Sequence, residues 1–80
     1  MPKLPRISGK EAVKVFRRLG FVVARQRGSH VVMRRGDKGC VIPLHDRLAV
    51  GTLRNAIRQA GTTVQQFASA YEGRDTDGSS

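Results

Sequence analysis

The period of the apolar residues changes several times along the chain, and each change marks an element. Ala12, Val13, Phe16 and Leu19 recur at helical spacing behind Ser8, and Ser8 with Glu11 has the S-x-x-E form of a capping box. The spacing predicts a helix over residues 9–19, stopped by Gly20, with Lys10, Glu11, Lys14, Arg17 and Arg18 on its outer face. Residues 21–27 and 30–35 are β-branched runs on either side of Gly28 and Ser29, and they predict an antiparallel hairpin. A second turn over Gly36, Asp37, Lys38 and Gly39 leads to a third strand over residues 40–43. Pro43 lacks an N–H for a ladder, so it ends that strand or sits at an edge.

After a loop over residues 44–50 the helical period returns. Leu53, Ala56, Ile57 and Ala60 fall on one face and Arg54, Asn55, Arg58 and Gln59 on the other, until Gly61 stops the helix. Thr63 caps a last short helix, with Gln66 in the reciprocal capping position and Val64, Phe67, Ala68 and Tyr71 on the apolar side. Residues 73–80 contain no apolar side chain and read as a disordered tail. The expected fold is α+β. One domain over residues 1–72 has the order α-β-β-β-α(-α), with helices packed on one face of a three-stranded antiparallel sheet. The opposite face or its rim is left for a ligand.

Composition narrows what that ligand is. Fifteen Lys and Arg against six Asp and Glu give +9 over 80 residues, and the tail holds one Arg and two Asp, which leaves +10 for residues 1–72. Eleven of the basic residues are Arg, whose planar fork holds phosphate through paired hydrogen bonds. A compact field of this sign concentrates polyanions, so nucleic acid is the first candidate partner. No apolar run approaches the ~20 residues of a membrane span, no helix joins a basic face to a broad apolar one, and no signal-type stretch follows the first residues. A cytoplasmic protein with no membrane partner is expected. The single cysteine, Cys40, allows no internal disulfide and fits a reducing compartment.

Titratable groups are few. Only His30 and His45 are histidines, and the six carboxylates are scattered without metal-ligand spacing, so a metal-dependent nuclease is disfavoured and no cofactor is expected. His30 follows the Gly28 turn, with Arg25 and Arg27 before it and Arg34 and Arg35 after it, a setting that suits a phosphodiester. On strand parity His30, Val32 and Arg34 share one side, and Val31, Met33 and Arg35 the other; both sets contain apolar residues, so parity alone does not say which is exposed. For RNA the chemistry is in-line attack by the adjacent 2′-hydroxyl, with a histidine moving the proton and guanidiniums stabilising the phosphorane-like transition state; DNA lacks that nucleophile. Local sequence alone favours a half-buried hairpin histidine bonded to backbone. His45, before Asp46, reads first as a surface loop residue, Ser29 as a turn residue too close to His30 in sequence to pair with it, and Cys40 as core.

Six blocks stand out in order along the chain: Ser8-Gly9-Lys10-Glu11, Leu19-Gly20-Phe21, Arg25-Gln26-Arg27-Gly28-Ser29-His30, Val41-Ile42-Pro43-Leu44-His45, Gly51-Thr52-Leu53-Arg54 and Ile57-Arg58-Gln59-Ala60-Gly61. In these blocks and their spacing the chain resembles the HicA (YcfA-like) messenger-RNA interferase toxins. The resemblance spans about residues 4–70. It implies a fold like the double-stranded RNA-binding domain, endoribonuclease activity on messenger RNA, an antitoxin of HicB kind, and a catalytic histidine at His30. It therefore turns His30 from hairpin filler into a general acid or base. The chain departs from the family pattern at Val31, where a second histidine is common, and at Val50, where a proline is common. Around His30 the expected RNA-binding residues are Arg25, Arg27, Ser29, Arg34, Lys38 and His45.

Two other functions compete. A non-catalytic RNA-binding module of the same fold would use the charge and not the histidine. Residues 53–68 also have the outline of a helix-turn-helix, but the second helix holds no Arg or Lys, so autonomous DNA binding is not expected.

Overall fold

The computed structural model describes residues 3–73, and the expected tail lies, Gly73 apart, outside them. The order is α1 (Gly9–Arg18), β1 (Val22–Arg27), β2 (His30–Arg35), β3 (Lys38–Pro43), α2 (Val50–Ala60) and α3 (Val64–Tyr71). The strands form one antiparallel meander, β1-β2-β3.

The capping box forms in full at α1. The Ser8 hydroxyl accepts from the Glu11 N–H at 3.1 Å, and Glu11 Oε1 accepts from the Ser8 N–H at 3.0 Å. These bonds satisfy donors that a helix start otherwise leaves unpaired. At α3 only half of the expected device forms. Thr63 Oγ1 accepts from the Gln66 N–H at 3.0 Å, but Gln66 Oε1 takes the Thr62 hydroxyl at 2.6 Å, because that neighbour offers a competing donor. β3 begins at Lys38 rather than Cys40, since Gly36, with φ +61°, lets the chain reverse within Gly36 and Asp37. α2 also starts earlier than its apolar period shows, at Val50 behind an Ala49 that has no side-chain cap.

Helices α1 and α2 cover one face of the sheet, and α3 packs chiefly on the helices. Val31 and Met33 of β2 and Cys40 and Ile42 of β3 point into the core, where they meet Phe16 of α1 and Leu53, Ala56 and Ile57 of α2. Phe16 joins the layers, with its ring centroid 5.5 Å from Phe21 and 5.3 Å from Phe67. Ile7 and Leu48 complete the core from irregular segments, held together by the Leu48 N–H on the Ile7 carbonyl at 2.8 Å. No helix among the described residues is long and apolar enough to cross a membrane.

Candidate functional site

The central strand decides which side of the sheet is left uncovered. Val31 and Met33 are buried beneath the helices, so His30, Val32 and Arg34 project from the uncovered face. Across the ladder His30 opposes Arg27 on β1 and Pro43 on β3, Val32 opposes Arg25 and Val41, and Arg34 opposes Val22 and Gly39. Directly opposed residues share a face with Cβ atoms about 5 Å apart. His30, Arg27 and Arg25 therefore form one cluster at one end of the open face, beside Val32 and Val41. Arg34 is on the same face but four residues along the strand from His30, roughly 13 Å away at the strand rise.

A β-bulge makes this cluster possible. Register shifts between Val23 and Arg25, leaving Ala24 without a partner. In a regular strand Val23 and Arg25 would share a face; the extra residue lets Val23 oppose Met33 on the covered side while Arg25 and Arg27 turn outward. Nothing in the local sequence marks the bulge. It is legible only once the register against β2 is known.

The end of the sheet that bears His30 is tied to α1. The Leu44 N–H donates to the Ser29 carbonyl at 2.6 Å, and the Gly9 N–H donates to the His45 carbonyl at 2.9 Å. A Cβ on Gly9 would collide with the Pro43 carbonyl oxygen and come within 2.7 Å of Leu44 Cα, so the first turn of α1 touches the backbone that opposes His30. Ser29 and His45 are thus both brought to the His30 end, and both are exposed. No hydrogen bond joins His45 to Asp46 among those of the described residues.

Lys38 is not brought to this cluster. It opposes Arg35 at the far end of the sheet, five residues along β3 from Pro43 or roughly 17 Å, and its stem lies against Gly61. The expectation of Lys38 around His30 fails on this register. Sequence adjacency through a hairpin turn hid the fact that the second turn is at the opposite end from the first.

The arginines divide by role. Arg35, on the covered side, donates to the Leu19 carbonyl at 2.6 Å and lies 4.8 Å over the Phe21 ring. Arg18 donates to the Ala70 and Tyr71 carbonyls at 2.7 and 3.2 Å, closing the C-terminus of α3, and Arg58 donates to Asn55 Oδ1 at 2.7 Å. The side chains of Arg25, Arg27 and Arg34 take no part in the hydrogen bonds among the described residues, and all three are exposed. The three strands hold five basic residues and no acidic one. Five donors per guanidinium thus stand unengaged on a face without carboxylates, an arrangement that attracts phosphate.

Two features limit the chemistry of the site. Cys40 is buried in the core, where loss of hydration pushes its thiol up to about 11, so it is no nucleophile. Among the described residues no group of three or more His, Cys, Asp or Glu is placed to hold a metal ion. Among the described residues the open face also carries no Phe or Tyr: Phe16, Phe21 and Phe67 are buried, and Tyr71 is on α3.

No curated protein matches the chain. The profile of one family, described as HicA toxin of bacterial toxin-antitoxin, matches residues 9–62, from the first residue of α1 to just beyond α2, and so contains the whole sheet with His30 and its arginines. By that match the chain belongs to the HicA toxin family.

Proposed function

We propose that this toxin is a metal-independent endoribonuclease that cleaves messenger RNA on the open face of its sheet and is silenced by a HicB-like antitoxin. The observation that carries this reading is the pairing of exposed His30 with Arg27, and of Arg25 with Val32 beside it, on a face without carboxylates. A phosphodiester held by Arg25 and Arg27 lies within reach of the His30 imidazole. His30 takes the proton of the 2′-hydroxyl as its oxygen bonds to phosphorus; the bond from phosphorus to the 5′-oxygen breaks, and that oxygen leaves with a proton from solvent. The products are a 2′,3′-cyclic phosphate and a 5′-hydroxyl. The guanidiniums oppose the charge that builds on the equatorial oxygens.

Ser29 and Arg34 extend the RNA contact to either side of His30. Lys38 takes no part in this contact, because it opposes Arg35 and shares the covered side of β3 with Cys40 and Ile42. His45 shares the end of the sheet with His30 and is assigned no step. With no Phe or Tyr on this face among the described residues, recognition rests chiefly on phosphate and 2′-hydroxyl contacts. A cytoplasmic protein is the reading consistent with such a substrate.

The test is cleavage of a defined RNA in chelator, beside its 2′-deoxy counterpart. The RNA alone is expected to be cut, leaving cyclic-phosphate ends, and His30→Ala is expected to lose about 100-fold or more of the rate. Full activity in His30→Ala overturns the assignment of His30. RNA binding by the wild-type protein without cleavage would make it the non-catalytic module.

A further inference from the structure

On the covered side of the sheet, β1 is left partly bare. Helix α1 packs over β2 and β3, and α2 over β3, so a groove of about 430 Å³ runs between α1 and β1. Its floor is Val13, Val23, Val31 and Leu44, of which only Val31 is fully buried. Its rim is Lys10, Lys14 and Arg17, three exposed cations on successive turns of α1. None of the three side chains enters a hydrogen bond among the described residues, and the acidic residue of that helix, Glu11, is engaged in the capping box.

The two halves of this groove select for different things. An apolar floor favours aliphatic or aromatic side chains and gives a phosphodiester nothing to bond, whereas the cationic rim favours carboxylates. A second copy of the chain would bring another +9 against the rim. Residues 74–80 hold two Asp but no apolar side chain for the floor. What fits is a segment of another protein with one or two apolar side chains flanked by Asp or Glu.

We propose that the α1–β1 groove is the docking site for an acidic, apolar-centred segment of the cognate antitoxin. This rests on the toxin reading above, and it locates the partner's anchor on the side of the sheet opposite the RNA. Leu44 links the two sides, because its side chain lines the groove while its N–H is bonded to Ser29, next to His30. A segment anchored there reaches the His30 end by rounding the edge of the sheet at Gly28 and Ser29. The toxin can thus be held by contacts that RNA does not use, while the arm beyond the anchor covers the active end.

The experiment compares the full-length toxin with its K10E/K14E/R17E variant and, separately, with Val23→Glu. Affinity for the purified HicB-like protein of the neighbouring reading frame is measured by calorimetry at two salt concentrations, and RNA cleavage is followed in parallel. Far-UV circular dichroism verifies that each variant is folded. The rim variant is expected to lose roughly tenfold or more in affinity at low salt and to show a flatter salt dependence, with cleavage within about twofold of wild type. Val23→Glu is expected to weaken binding at both salt concentrations, since it removes part of the floor and adds a like charge. Unchanged affinity in both folded variants overturns the proposal. Loss of cleavage with affinity retained also overturns it, by giving the groove to RNA. A wild-type toxin that cleaves RNA but ignores this protein sinks the docking site and leaves the nuclease standing; one that cleaves nothing sinks the nuclease reading instead.

Discussion

The two faces of one small sheet show how a six-residue strand divides its side chains between a buried core and an exposed basic surface. On β2, Val31 and Met33 lie within the core at 3% and 0% exposure, while His30 and Arg34, one residue away in each direction, are exposed. The contrast is sharpest between neighbours. Arg35 is spent on the Leu19 carbonyl and the Phe21 ring, whereas Arg34 keeps its guanidinium for solvent or ligand. The same residue type thus has two meanings, set by strand parity and not by composition. Positive charge by itself overstated the binding surface, since Arg18, Arg35 and Arg58 are structural.

If the faces are separable, substitutions should split cleanly between activity and stability. The widest split is between His30→Ala and Met33→Ala. The first should lower RNA cleavage by about 100-fold or more with an unchanged melting temperature. The second opens a hole in the core and should cost ~2–5 kcal/mol in a denaturant titration. A His30→Ala protein that melts many degrees lower would show that the open face is not independent of the core.

Gly9→Ala attacks the joint between α1 and the His30 end. The added methyl has only the Pro43 carbonyl and Leu44 backbone to displace, so a loss of roughly 1–3 kcal/mol is expected together with a fall in cleavage. Both readouts moving together would mark the joint as the place where the faces are coupled. Arg35→Ala against Arg34→Ala tests the comparison within one dipeptide. Arg35→Ala should cost about 1–2 kcal/mol of stability with catalytic rate per folded molecule retained. Arg34→Ala should leave stability within about 0.5 kcal/mol and weaken RNA binding in a salt-dependent way.

The last effect, confined to alkaline pH, is that of Cys40. An unfolded thiol ionises near 9.0 and the folded one near 11, so above pH 9 the unfolded chain binds fewer protons and stability falls as pH rises toward 11. Below pH 9 Cys40 contributes no slope. Cys40→Ser, compared with wild type by thermal melts between pH 8 and 11, should remove that part of the decline, and Cys40 in the native protein should resist alkylation at pH 8.

Helix starts and stops were the most legible features. The Ser8 and Glu11 box, Gly61 at the end of α2 and the Thr63 cap all act over a few residues, so local chemistry specifies them. The alternation of β2 and β3 likewise showed which residues travel together. Sequence failed where the decision was not local. Ile7 and Leu48 are core residues without a period, because irregular segments enter the core through one long-range hydrogen bond. The Gln66 side chain chose Thr62 over the Thr63 backbone, a competition between two nearby donors that the pattern did not rank.

By itself, then, the sequence determined the α+β order, the excess of guanidiniums, the presence of one histidine among them, and through its motifs the family. Only the tertiary structure decided which side of the sheet is open, which arginines are free, that an Ala24 bulge turns Arg25 and Arg27 to the side of His30, and that Lys38 is at the other end. The reason is the range of the forces. Capping and periodicity act within a turn of the chain, whereas the side of a strand that meets solvent is fixed by where α1 and α2 bury their own apolar faces.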